Sequence, residues 1–263
     1  MEQRIEIVRP VFGGPRATPV SAGIAALLGV GLGDLARAAP APRVVSIDVS
    51  PGSVTVIVGP SGSGKSSMLR GLADACGVRG VRVVSAPTRV RGDRPVCDLC
   101  GCAPVGAMRL LGDVGLGDAR SMVRAYGELS EGQRARVRIA LGVRRAQRIA
   151  RTGAPVVLVL DEFGSNLDGL TARSVAMSVR RTVQRGPGLA CVVATTRDDV
   201  VEHFAPAECI ELHGAGSARV RRISRRPPVR MGVRVGTREE YEALAPLHYR
   251  PGRPATIGLP QAR

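Results

Sequence analysis

The chain is 263 residues long and carries 38 lysines and arginines against 22 acidic residues, a net charge of +16, with only 2% aromatic residues. That length suits one large domain, or one domain with appendages, and is ample for a buried core. The charge surplus points to a polyanionic partner, nucleic acid first, or to a plainly solvated basic face; the dearth of aromatics argues against base-stacking platforms for single strands.

Residues 1–42 read as an N-terminal strand and helix segment. Glu2, Arg4, Glu6 and Arg9 precede any apolar run, so no signal peptide is read. The run Val20–Leu35 is too short and glycine-rich to cross a bilayer, and Asp34 and Arg37 close it. A soluble, cytoplasmic protein with reduced thiols is therefore expected. Residues 44–58, VVSIDVSPGSVTVIV, predict two strands joined by the turn Ser50-Pro51-Gly52-Ser53. A glycine-rich loop follows, then a helix from Ser66 to about Ala75 with Met68, Leu69 and Leu72 on one face. Residues 80–86 predict another strand, 87–102 an irregular segment, and Ala103–Leu111 a short helix.

The stretch 127–140, GELSEGQRARVRIA, predicts the start of a further helix. Ser130 can cap it, and Glu131 and Gln133 suit its first turn. A helix opening Ser-x-Gly-Gln also offers backbone N–H groups to an anion. Residues 155–163, PVVLVLDEF, read as a buried parallel strand ending in two carboxylates. Thr171–Gln184 reads as a helix and 189–196 as another buried strand. Strands alternating with helices mean a parallel α/β sheet. Beyond His213 the pattern gives way to a basic strand or linker with Arg219, Arg221, Arg222, Arg225, Arg226 and Arg230, then an amphipathic helix over 234–249. The expected organisation is 1–42, an α/β domain over 43–213, and a basic extension over 214–263.

Cys97, Cys100 and Cys102 offer half of a zinc site. His203, His213 and His248 are scattered and no second half follows, so free thiols are expected.

Gly59-Pro60-Ser61-Gly62-Ser63-Gly64-Lys65-Ser66 satisfies G-x-x-x-x-G-K-[ST] after a strand and before a helix. Its glycines let consecutive N–H groups turn inward around phosphates, and Ser67 extends the same helix start. Lys65, the only lysine of the chain, supplies a compact charge, and Ser66 can ligate Mg²⁺. Asp161 should emerge at the edge of the sheet to hold the Mg²⁺ shell, with Glu162 beside it to polarise an attacking water. Lys65 and Glu162 are the candidate catalytic residues.

With these residues in view, Val44 to Ile210 resembles the ATP-binding cassette (ABC) ATPases. Leu129-Ser130-Glu131-Gly132-Gln133 is similar to that family's signature motif, and Asp161-Glu162-Phe163-Gly164-Ser165-Asn166-Leu167-Asp168 to its Walker B motif and D-loop. The resemblance implies an α/β P-loop NTPase fold of ABC-ATPase type, with a short helical subdomain and a basic C-terminal extension. It implies ATP and Mg²⁺ as ligands and a head-to-tail homodimer. In that dimer Ser130, Gly132 and Gln133 of one copy would meet the γ-phosphate held by the other, with Asp168 close by.

The departures from the family pattern are specific. Thr196 stands where the switch histidine is expected, leaving Arg197 as a candidate γ-phosphate contact. No glutamine lies between Lys65 and Gln133 for the Q-loop, although Asp98 is in that region. No aromatic between Phe12 and the phosphate loop is placed to stack on adenine. The segment from Lys65 to Leu129 is also short for a transporter cassette. The leading expectation is a soluble ATP-driven clamp associated with nucleic acid. The alternatives are the ATP-binding subunit of a membrane transporter, with a permease partner, and an ATP-dependent dimerisation switch with little turnover.

Overall fold

The computed structural model describes residues 3–8, 18–29, 44–213 and 218–223, together with Thr237. Apart from Thr237, the expected helix over 234–249 lies outside the described residues, as do Arg225, Arg226 and Arg230. The N-terminal part supplies strand β1 (Arg4–Val8) and helix α1 (Pro19–Leu27), the latter capped by Thr18. The two strands read around the Pro-Gly turn are β2 (Val44–Asp48) and β3 (Val54–Val58), but they do not form a hairpin. β2 pairs antiparallel with β1, while β3 enters a different sheet. The turn explains the parting. Asp48 accepts hydrogen bonds from the backbone N–H and hydroxyl of Ser50, and the Gly52 N–H donates to Leu189 O at 2.8 Å, which steers the chain into the second layer.

After β3 come helix α2 (Lys65–Val78) and strand β4 (Arg82–Ser85). The segment expected to be irregular contains a short helix, α3 (Val96–Leu99). With α4 (Pro104–Asp113) and α5 (Ala119–Val123) it builds the short helical subdomain. The long helix α6 (Glu131–Ala150) leads to β5 (Val156–Leu160), and α7 (Gly169–Arg185) leads to β6 (Leu189–Thr195). A single-turn helix α8 (Val201–Phe204) precedes β7 (Glu208–Leu212), and β8 (Ala218–Arg222) turns back along it.

The main sheet has the order β4-β5-β6-β3-β7-β8, parallel except for the last pair. β3, β5 and β6 are buried at every position, as predominantly apolar runs require when both faces are covered, with Thr55 and Thr195 buried among them. One face packs on α2 through Met68, Leu69 and Leu72, joined by Ile5, Ile7 and Ile47 of the small sheet. The other face packs on α6 and α7 through residues such as Val137, Ala140, Val175 and Val179, and α4 packs on α6 with Leu111 in the same core. β3 and β5 have only β6 between them, so their C-terminal ends lie about 10 Å apart at the usual strand spacing. That spacing sets the phosphate loop and the two carboxylates on one edge of the sheet. The basic segment after His213 opens as a strand whose charge is partly met: Arg221 pairs with Glu211 at 3.2 Å and Arg222 with Glu208 at 3.4 Å.

All six cysteines are free thiols. Cys76, Cys100, Cys191 and Cys209 are buried, and burial lifts each thiol pKa, to about 11 for Cys76 and Cys100. Cys97 and Cys102 are only partly covered. Because the thiolate is the reactive form, native maleimide labelling should be confined to Cys97 and Cys102, and denaturation should release the other four. Intact-mass spectrometry checks this; rapid native labelling of all six would contradict the packing. Among the described residues no group of three His, Cys, Asp or Glu side chains is placed to hold a metal.

Candidate functional site

The phosphate loop runs from the end of β3 into α2. Gly64, the residue just before that helix, sits at φ +94, a left-handed backbone that a side chain would strain, and no side chain caps the helix. The first N–H groups of α2 are thus left to a ligand. Two further observations fit an anion there. Ser63 Oγ is buried with no hydrogen-bond partner. Lys65, only 7% exposed, donates from Nζ to its own loop carbonyls, Gly59 O and Pro60 O, each at 2.7 Å. Burial pulls the Lys65 pKa down, and the nearby charges of Asp161 and Glu162 push against that shift. The ammonium and the two carboxylates are therefore within electrostatic reach of one another.

Asp161 and Glu162 follow β5 and are both exposed. Glu162 has φ +51, an uncommon conformation for a side-chain-bearing residue that costs about 1–3 kcal/mol. Three bonds hold it: Glu162 N–H donates to Asp161 Oδ1 at 2.9 Å, Phe163 N–H to Ala194 O at 2.9 Å, and Ser165 N–H to Glu162 O at 3.2 Å. The turn sets the two carboxylates side by side at the sheet edge. A hydroxyl at Ser66 and one carboxylate at Asp161 are too few for an all-protein cation cage, but they suit Mg²⁺, which takes the rest of its shell from phosphates and water.

At the start of α6, Ser130 Oγ accepts from Gln133 N–H at 3.3 Å while Gln133 Oε1 accepts from Ser130 N–H at 3.0 Å. Gln133 Nε2 donates to Ser121 Oγ at 3.2 Å, so the glutamine braces the helix start against the helical subdomain. Gly132 has a reason beyond motif matching: a Cβ there would meet Asn166 O at 2.9 Å. The signature helix and the loop after Glu162 therefore touch backbone to backbone. Gly132→Ala should cost about 1–3 kcal/mol, read as a lower urea midpoint, because a backbone carbonyl has to move; an unchanged midpoint would show that the loop yields freely. Asp168 caps α7 by accepting from Thr171 N–H at 2.9 Å, and this bond holds its carboxyl below the usual range.

The chain does not bring all the expected residues together. Among the described residues no hydrogen bond or ion pair joins Ser130, Gly132 or Gln133 to residues 59–67. A cleft of about 490 Å³ lies between α6 and the Asp161–Leu167 loop, with Ser85, Thr88 and Arg138 in its walls. Segment 85–88 is thus the part of the chain that flanks the two carboxylates. Asp98, considered for that position, lies instead on α3, outside the lining. Thr196 opens onto a second cavity, of about 590 Å³, with Gly59, Pro60, Asp198 and His213. Arg197 does not reach toward the phosphate loop: its guanidinium is spent on Asp199 and on the carbonyls of Gly164 and Leu167. Thr195 and Ser121 carry no sequence signal, since only the folded chain shows whom they bind. The described aromatics are buried, with Phe163 and Phe204 in edge-on contact at 4.9 Å and Tyr126 in the core.

A family model described as Novel STAND NTPase 1 matches residues 39–235. The chain is 31% identical over 201 residues to a phosphonates import ATP-binding protein of Hyphomonas neptunium, spanning 61% of this chain and 73% of that protein. It is 32% identical over 190 residues to a lipoprotein-releasing system ATP-binding protein of Maricaulis maris, spanning 59% and 79%. Among solved structures, an ATP-binding cassette of an ABC transporter in its ADP conformation superposes with a TM-score of 0.52 at 18% identity, over 84% of this chain and 91% of that one. A dimeric cassette bound to ADP and Pi gives 0.54 at 16% identity, over 83% and 98%. The chain belongs to the NTPase family that this model describes, and its likeness to these ATP-binding relatives makes it an ABC ATPase.

Proposed function

We propose that this chain hydrolyses Mg·ATP at two equivalent sites, each built from the phosphate loop of one copy and the signature helix of another. The observation that carries the reading is a divided site. An uncapped helix start with the orphaned Ser63 hydroxyl and Lys65 faces Asp161 and Glu162, while the Ser130 helix start makes no bond to that loop within its own chain. In the reaction, the α2 N–H groups and Lys65 hold the β- and γ-phosphates. Ser66 and Asp161 would hold Mg²⁺, which would supply positive charge to the phosphate oxygens. Glu162 orients the attacking water and takes up its proton, and the partner's helix start closes over the γ-phosphate.

The relatives supply a direction for the partner. Both are named as ATP-binding proteins of import or releasing systems. On this chain Val105 (61% exposed), Met108 (58%) and Val123 (65%) present apolar side chains from the helical subdomain. A separately encoded membrane subunit fits these exposed apolar side chains and the relatives' roles. Among the described residues no helix is long and apolar enough to cross a membrane.

Single-turnover hydrolysis by the purified chain tests the reading. Phosphate release from Mg·ATP is expected from the native chain and not from Lys65→Ala; equal release from both would overturn it. Turnover is expected to be indifferent to added duplex DNA, and a salt-dependent stimulation would restore nucleic acid as the partner.

A further inference from the structure

The end of β6 closes a polar bracket over the loop that starts at Glu162. Thr195 is fully buried; its hydroxyl donates to Phe163 O at 2.9 Å and accepts from Arg197 N–H at 3.0 Å. The Arg197 guanidinium then spans three partners. Nε and one terminal nitrogen fork onto Asp199 at 2.9 and 2.8 Å, and the other terminal nitrogen donates to Leu167 O at 2.6 Å and Gly164 O at 3.3 Å. Asp199 is held in turn by Arg173 of α7 at 3.5 Å.

The loop is shaped to receive this side chain. Gly164 has φ +81, and a Cβ there would press on Arg197 Cδ at 3.3 Å; a Cβ on Gly169 would meet the guanidinium at 3.4 Å. The carbonyls that Arg197 takes belong to the turn that runs from the strained Glu162 to the Asp168 cap. That turn also abuts Gly132 through Asn166.

We infer that Arg197 is a positioning residue: by holding the Gly164 and Leu167 carbonyls it fixes the turn that aims the Glu162 carboxylate and sets the Asn166 backbone against the signature helix. The inference rests on the hydrolytic reading above. Its chemistry is that of a planar fork of five donors, of which four directed bonds are used; a lysine in the same place cannot bridge Asp199 and two carbonyls at once. A displacement of the catalytic carboxylate by about 1 Å is enough to cost roughly a hundredfold in rate.

The test compares the full-length native chain with Arg197→Ala, Arg197→Lys and Asp199→Asn. In Arg197→Ala, Mg·ATP affinity and KM should stay near native values while kcat falls by roughly ten- to a hundredfold. Millimolar guanidinium chloride should restore part of that loss, and the same concentration of potassium chloride should not. Arg197→Lys should remain impaired, and Asp199→Asn should lie between. In the nucleotide-free protein, amide exchange at Phe163, Ser165 and Leu167 should quicken in Arg197→Ala while β5 amides keep their protection. Unchanged kcat, a loss that appears as weaker ATP binding, absence of guanidinium rescue, or unchanged exchange in the loop would each overturn the inference. A native chain without turnover overturns the hydrolytic reading instead, and the exchange arm then still decides whether Arg197 holds the loop.

Discussion

Lys65→Ala is expected to abolish ATP binding while leaving the fold intact. Saturating Mg·ATP at about a hundred times Kd should stabilise the native chain by about 2.7 kcal/mol, which for a chain of this size is roughly 5–10 °C in Tm. In the variant that shift should vanish, because no other lysine exists to supply the charge. Lys65→Arg should fail as well, since a wide planar fork does not replace a compact ammonium inside a tight loop. The unliganded variant should melt close to the native temperature. Burial lowers the Lys65 pKa, so the charged ammonium opposes folding throughout the pH range below that lowered value, and the penalty disappears only as pH rises through it toward the ordinary lysine value. Removing the side chain removes that penalty together with its two bonds to Gly59 O and Pro60 O. A variant that keeps a native-sized ATP shift would contradict the phosphate-loop assignment.

Glu162→Gln should separate binding from chemistry. The amide keeps the size of the side chain and leaves Asp161, Ser66 and Lys65 untouched, so nucleotide affinity should hold. Loss of a carboxylate that accepts the proton of the attacking water should slow hydrolysis by roughly 10²–10⁴-fold. Phosphate release in a single turnover measures it directly. A glutamine variant with native turnover would move the base elsewhere in the 490 Å³ cleft, whose walls include Ser85, Thr88 and Arg138.

The phosphate loop was legible in the sequence because its chemistry is local. Eight consecutive residues, 59–66, fix the glycines, the lysine and the hydroxyl, and the flanking Val54–Val58 run and Met68/Leu69/Leu72 stripe announce a strand and a helix. The buried strands β5 and β6 were legible for the same reason, being unbroken apolar runs. Pairing was not: nothing in residues 44–58 says that β2 will join β1 while β3 crosses to the other layer, since β3 takes its partners from β6 and β7, far along the chain. The cap at Ser130 is legible in its own residues, but only the fold shows that the missing side chain of Gly132 makes room for Asn166. Arg197 shows the limit most clearly. Its charge and its place after β6 suggested a phosphate contact, whereas its real partners, Leu167 and Gly164, lie about thirty residues upstream and are backbone carbonyls without a sequence signal.

The divided site is tested most directly by mass in solution with Mg·ATP bound. Glu162→Gln should elute at twice the 27.5 kDa of the single chain when ATP is present and at 27.5 kDa when it is absent. Adding Ser130→Arg to the same chain should return it to the single-chain mass with ATP still bound, because bulk and positive charge then fill the helix start that meets the partner's γ-phosphate. A Glu162→Gln chain that binds ATP yet stays at 27.5 kDa, or a Ser130→Arg double variant that still pairs, would contradict a site shared between two copies.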